Sequence, residues 1–395
     1  MIIYNKLFMK TPNNYFSYFQ NSSILLLILV TLLLGITACN KKNQGQANIS
    51  EEIIANEIIE SDLILNDVTL EEISEAGQML WRVKSQQASY VKNQELVKVI
   101  KPKSELFRDG KLAYKITALQ GEVYQDENKI LLIEEIEVYD IQNQIIIRGQ
   151  QLEWLTEPGI IIVRNNIIGS NEQLQASAEM AKVISLENRI EFYGQVVAMF
   201  KEPVLKIQTD QLFWEIDKKK LIANKPIKIE ELKDKQVIGI AYGEESDFNL
   251  ESQIATMKQN VHLLRTNPKI QISSDLMIWN MPQGLIDSPG PITVLEQGEK
   301  VVLQANKGQG NFQKNTFVLS GDVVGVGQQS QAQLSSDRLT WYSNNQTFEA
   351  EGNVFYRQVD PPFNVRGPQA VGQLKNETVI IQGGNSNVVT EIIPQ

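Results

Sequence analysis

The phrase Ile147-Arg-Gly-Gln-Gln-Leu-Glu-Trp154 comes back three times, as Ile207-Gln-Thr-Asp-Gln-Leu-Phe-Trp214, Ile272-Ser-Ser-Asp-Leu-Met-Ile-Trp279 and Leu334-Ser-Ser-Asp-Arg-Leu-Thr-Trp341. The closing tryptophans stand 60, 65 and 62 residues apart. Between them falls a cousin built on smaller residues, in Ile116-Thr-Ala-Leu-Gln-Gly121, Ala176-Ser-Ala-Glu-Met-Ala181, Leu303-Gln-Ala-Asn-Lys-Gly308 and Val365-Arg-Gly-Pro-Gln-Ala370. Val83-Lys-Ser-Gln-Gln-Ala88 fits the same frame. The small residue two places after the apolar one marks the register: Ser85, Ala118, Gly149, Ala178, Thr209, Ala241, Ser274, Ala305, Ser336 and Gly367. Their mean spacing is about 31 residues, and a fixed period in this range is the signature of a stacked array.

The elements inside a unit read as strands. Leu112, Tyr114, Ile116 and Ala118 alternate with Ala113, Lys115 and Thr117, a period of two suited to a half-buried strand. Asp109-Gly110, Pro158-Gly159, Pro289-Gly290 and Gly383-Gly384 punctuate the runs. Within the tryptophan phrase, Leu152/Trp154, Leu212/Trp214, Met277/Trp279 and Leu339/Trp341 share a face directed inward. The polar residues just before them are expected at corners, which makes Asp210, Asp275 and Asp337 structural. Two architectures stack such units: a parallel β-helix, or an antiparallel roll of two facing sheets. Connections such as Asp126-Glu127-Asn128-Lys129 join strands able to pair directly, and the doubling of the period to about 62 is read as a reversal of chain sense in alternate units. Both point to the antiparallel roll, with two to three strands per unit and about 10 to 15 per sheet.

The chain has 395 residues, 42% hydrophobic and 21% charged, which is enough for a substantial core. A formal charge of −10 argues against a broad grip on nucleic acid phosphates. With one cysteine, Cys39, and one histidine, His262, thiolate zinc sites, disulfides and histidine-based triads are nearly excluded. No cofactor is expected. His262 reads as a strand-surface residue, and Lys218-Lys219-Lys220 as a solvated turn.

The N-terminus reads as an address. Lys6 and Lys10 precede an apolar run, Ile24 to Ile36, that ends Ile36-Thr37-Ala38-Cys39. This resembles a bacterial lipobox, with 1–38 as the signal peptide and Cys39 as the lipid anchor; an uncleaved transmembrane helix is the alternative. Residues 39–66 read as a tether, with a short helix from Ser50 to Glu60. The β array is divided into halves at 67–230 and 231–395.

A membrane-tethered chain with Trp81 early, then Lys103-Ser-Glu-Leu-Phe-Arg-Asp-Gly110, Ile116-Thr-Ala-Leu-Gln-Gly-Glu-Val123 and a return through Ile147 to Trp154, resembles the LptC family of lipopolysaccharide-export proteins. The similarity is best from about Asn66 to Ile229. It implies an all-β, elongated antiparallel β-jellyroll of the OstA-like kind. It also implies a periplasmic location, tethered to the inner membrane. The implied cargo is lipopolysaccharide, taken from an ABC transporter of the LptB/LptF/LptG type and passed to an LptA- or LptD-like bridge through edge-strand pairing, with no catalytic role and no nucleic acid. Ile116, Ile147, Leu152, Trp154, Ile207, Leu212, Trp214, Met277, Trp279, Leu339 and Trp341 are then expected to line a continuous apolar groove for acyl chains. The rival readings are a scaffold lipoprotein with no lipid cargo and a β-helix polysaccharide-degrading enzyme acting through paired carboxylates.

Overall fold

Each 31-residue unit is one hairpin. The structure, a computed structural model, describes residues 61–91, 95–298, 300–374, 378–383 and 388–392. The expected signal peptide, Cys39 and the helix from Ser50 to Glu60 lie outside the described residues. The first strand, Ser61–Ile73, takes in residues 61–66, which the sequence reading places in the tether. From there 28 strands join one hydrogen-bonded ladder, paired antiparallel throughout. The antiparallel roll is therefore the observed architecture, and the β-helix is not.

The 28 strands make twenty-one passes, because seven passes are interrupted halfway. Every second pass carries one of the ten small markers at its middle. Thus Gly149 is central in Ile145–Leu155, Thr209 in Leu205–Glu215 and Ser336 in Gln333–Tyr342. The chain reverses inside each unit, so successive units run in the same sense. The doubled period does not come from alternating chain sense; and because every pass runs through both walls, each wall holds twenty-one lengths of strand against the 10 to 15 expected.

The passes between the markers carry the crease. Glu134-Glu135, Asn165-Asn166, Gly194-Gln195, Gln259-Asn260, Gly321-Asp322 and Gly352-Asn353 all have positive φ at both residues. Each pair sits where the register slips, for example between Tyr193/Val196 opposite Gln211/Thr209. Such a left-handed pair adds a residue to one strand and bends it. The ladder folds along this line into two facing walls. One contains the first halves of the marker strands (such as 145–149 and 205–209), the other their second halves (151–155 and 211–215).

The marker is small because its own strand must pass close under the bent one. A Cβ on Gly149 would come within 2.5 Å of Val163 Cγ1 and 2.9 Å of Ile167 Cδ1. Where the marker is Ser, its hydroxyl donates to the carbonyl two residues on. Ser85 Oγ reaches Gln87 O at 2.6 Å, Ser274 Oγ reaches Leu276 O at 3.1 Å and Ser336 Oγ reaches Arg338 O at 3.0 Å. The expected corner is thus present, but the bend belongs to the neighbouring strand. Asp337 helps to fix it by accepting a 2.9 Å hydrogen bond from Asn353 Nδ2.

Glycine or asparagine occupies seven of these twelve crease positions at little cost, whereas Glu134 and Glu135 both have a Cβ crowded by the following carbonyl. Replacing Glu134-Glu135 by Asn-Gly is expected to stabilise the roll by about 1–2 kcal/mol. A urea midpoint that does not rise would place the strain of the crease elsewhere.

Candidate functional site

The space between the walls is where the sequence-derived candidates converge. Ile116, Ile147, Leu152, Trp154, Ile207, Leu212, Trp214, Met277, Trp279, Leu339 and Trp341 all join one apolar cluster running from Trp81 to Ala370, and none is more than 4% exposed. Their burial follows from the period of two: in Ile145–Leu155 residues 145, 147 and 149 point inward before the crease, and 152 and 154 after it.

The two walls touch across this space. Trp81 and Trp154, on opposite walls, meet edge to face with ring centroids 6.4 Å apart, and Phe200 meets Phe248 in the same way at 5.2 Å. Through the middle of the ladder the interior is filled, so the candidate residues form a packed seam there and not an open trough.

Three contacts also clasp the walls along the side away from the crease, where the hairpin turns of the two walls face each other. Arg108 Nη1 donates to Ser185 O and, at 2.6 Å, to Asn188 Oδ1 in the short helical turn Ser185–Glu187 and its cap. Gln253 Nε2 donates to Glu202 O at 3.1 Å. Arg265 lies 4.3 Å over the ring of Phe312 and pairs with Glu231 on its own wall. A guanidinium on an aromatic face is favourable when partly desolvated, and the Arg265 side chain is 10% exposed. Sequence reading missed all three clasps, since each joins residues 47 to 80 positions apart and no local pattern announces them.

The walls part at both ends of the ladder. At the N-terminal end a hollow of about 320 Å³ lies between Leu70, Glu72 and Trp81 on one wall and Tyr124, Lys129 and Thr156 on the other. Its lining is mixed. Tyr124 donates to Glu122 Oε2 at 2.6 Å, and this bond, with burial, pushes its phenol pKa up to about 12, so it stays neutral. Lys129 Nζ stands 4.4 Å over the Tyr124 ring. At the C-terminal end a smaller, predominantly apolar hollow of about 70 Å³ lies between Leu303, Gly325 and Leu334 on one wall and Leu339, Trp341 and Val379 on the other. Leu339 and Trp341 are the sequence-derived candidates that border an opening; the other nine border neither hollow.

The indole nitrogens of Trp154 and Trp341 are buried with no hydrogen-bond partner among the described residues. A buried donor left unpaired costs about 1–3 kcal/mol, so these two are exceptions that call for a reason.

The remaining candidates stand on the outside. His262 Nδ1 lies 2.9 Å from Ser273 Oγ on the strand surface. Lys218, Lys219 and Lys220 each pair with a carboxylate, Glu215 at 3.1 Å, Glu251 at 2.8 Å and Asp247 at 2.6 Å. Among the described residues no group of three or more His, Cys, Asp and Glu is placed to hold a metal ion.

A family model described as "Lipopolysaccharide-assembly, LptC-related" matches residues 25–153 and again 142–262, together more than half of the chain. The two matches meet within the strand Ile145–Leu155, inside the unbroken ladder. No curated protein matches the chain.

Proposed function

Because the chain belongs to the LptC-related family of lipopolysaccharide assembly, we propose that its two apolar walls shelter the acyl chains of lipopolysaccharide on their way through the aqueous periplasm. The single observation that carries this is the continuous apolar interior, which opens at both ends of the ladder. Each methylene kept from water is worth about 0.8 kcal/mol, so several acyl chains cannot make the passage unprotected. A charged sugar-phosphate headgroup has the opposite need and stays outside the seam. Since the middle is packed and clasped, the chains enter by parting the walls along the turn side, with the crease as the hinge.

In this reading Cys39, or the apolar run before it as an uncleaved helix, tethers the roll to the inner membrane. The edge strand Ser61–Ile73, which among the described residues pairs only with Met79–Val91, is offered to the ABC transporter that supplies the lipid. The opposite edge, Thr378–Gln382 and Val389–Ile392, is offered to an LptA- or LptD-like bridge by strand addition.

The packed middle favours one second reading, a tethered β scaffold with no cargo. Photo-crosslinking separates the two. A photoreactive residue at Leu212 or Met277 is expected to capture lipopolysaccharide in cells, and depletion of ATP to abolish the adduct. No adduct at either position would leave the scaffold. Palmitate labelling of the wild type, lost in Cys39→Ala, checks the anchor; membrane retention without labelling would assign it to an uncleaved helix.

A further inference from the structure

We infer that the outer face of one wall, in the C-terminal half of the ladder, is a docking surface for an anionic lipid bilayer. The wall is the one that holds the first halves of the marker strands. Two rows of outward side chains cross seven of its strands, one running from Ile240 through Leu264, Leu295, Val302 and Val326 to Gln333, the other from Tyr242 to Ser335. No position in either row carries Asp, Glu, Lys or Arg. Earlier in the same wall these rows carry Arg82, Glu105, Lys115, Glu137, Arg148 and Lys206. The charged stretch ends at Lys228 and Glu230, which pair at 2.5 Å beside Tyr242 and Ile240, and charge resumes at Arg357 and Arg366.

Lysines border this face along its turn side. Lys233 and Lys235 flank Asp234 in the turn before Gln236–Gly243, Lys269 lies opposite Thr266 one pleat beyond the Leu264/Gln271 pair, and Lys300 stands two residues before Val302. All four are exposed, and none pairs with a carboxylate among the described residues, whereas Lys219 and Lys220 each do. The acids of this margin are Asp234 and Glu299. An uncharged, largely apolar face bordered by free ammonium groups complements hydrocarbon lying beneath anionic phosphates. The chain as a whole, at −10, is repelled by such a surface, which confines the contact to this face. A second copy of the chain fits less well. Seven strands by two rows span about 34 by 14 Å, roughly 480 Å² per copy, against about 800 Å² per partner in a stable interface.

The test reconstitutes the purified full-length protein in vesicles of phosphatidylglycerol mixed with phosphatidylethanolamine. A photoreactive residue at Thr293 or Val302 is expected to capture phospholipid, and one at Val318, outward on the other wall, to capture about tenfold less. Lys269→Glu with Lys300→Glu is expected to lower capture at Val302 about tenfold, as is a change to vesicles of phosphatidylcholine alone. Lys269→Arg with Lys300→Arg keeps the charge and should keep the adduct. Equal capture at Val302 and Val318, or capture at neither, overturns the docking surface. A cross-link between two copies of the chain at Val302 overturns it as well and makes the face a protein interface. Capture unchanged by the lysine reversal overturns the preference for anionic lipid. These vesicles hold no lipopolysaccharide, and Thr293 and Val302 alternate with the buried Val294 and Leu303, so they point away from the space between the walls. The result is therefore independent of the adduct sought at Leu212 and Met277, and either reading can fail while the other stands.

Discussion

Trp154→Ala lowers the stability of the roll by about 3–5 kcal/mol, the range for removing a fully buried large aromatic. The ring is 0% exposed and is held between Ile130 and Ile161 on neighbouring strands and Trp81 on the other wall. Truncation therefore opens a cavity at a point where two walls meet, and little nearby can collapse into it. Urea unfolding followed by far-UV circular dichroism reads the effect. Trp154→Phe should cost much less, since it keeps most of the packing and removes a buried N–H that has no partner among the described residues. If alanine leaves the midpoint unmoved, the walls are not packed against each other in solution and the filled middle described above is wrong.

Stapling the clasped side stops lipid transit. Glu202 and Gln253 belong to turns on opposite walls and meet through one hydrogen bond. Glu202→Cys with Gln253→Cys, joined by a bismaleimide, fixes the walls at their clasped separation. The adduct at a photoreactive Met277 is expected to fall at least tenfold, and a reducible linker to restore it on cleavage. The unlinked double variant, which loses only one exposed hydrogen bond, should transport normally. Undiminished capture by the stapled protein would mean that lipid does not pass between the walls here.

The repeat frame was fully legible. Ten small markers recurring every 31 residues or so fall on ten equivalent passes of the chain, and Leu152, Trp154 and their counterparts point inward as the period of two requires. The crease was only half legible. Thr209-Asp210 and Ser336-Asp337 signal a corner, but the bend lies in the opposite strand, in pairs such as Glu134-Glu135 and Gln259-Asn260 that lack the glycine by which left-handed residues are usually recognised. The direction of the chain was misjudged from the doubled period. Large and small inward residues alternate from unit to unit to fill the interior, and that alternation says nothing about strand sense. Arg108, Gln253 and Arg265 could not be found from the sequence, because their partners lie 47 to 80 residues away, beyond the adjoining strand. The openings were equally invisible: they occur where the ladder runs out of neighbours, and at the C-terminal one where Gly325 and Gly327 leave side chains out.

Because every hairpin rests on its neighbours through the same ladder and the same marker, the molecule has a natural increment of length. Removing one whole unit, say from Ser274 to just before Ala305, would rejoin like with like and shorten the stack by about 10 Å, two strand spacings. The fold works as a measuring rod whose reach changes by whole hairpins, without inventing a single new contact.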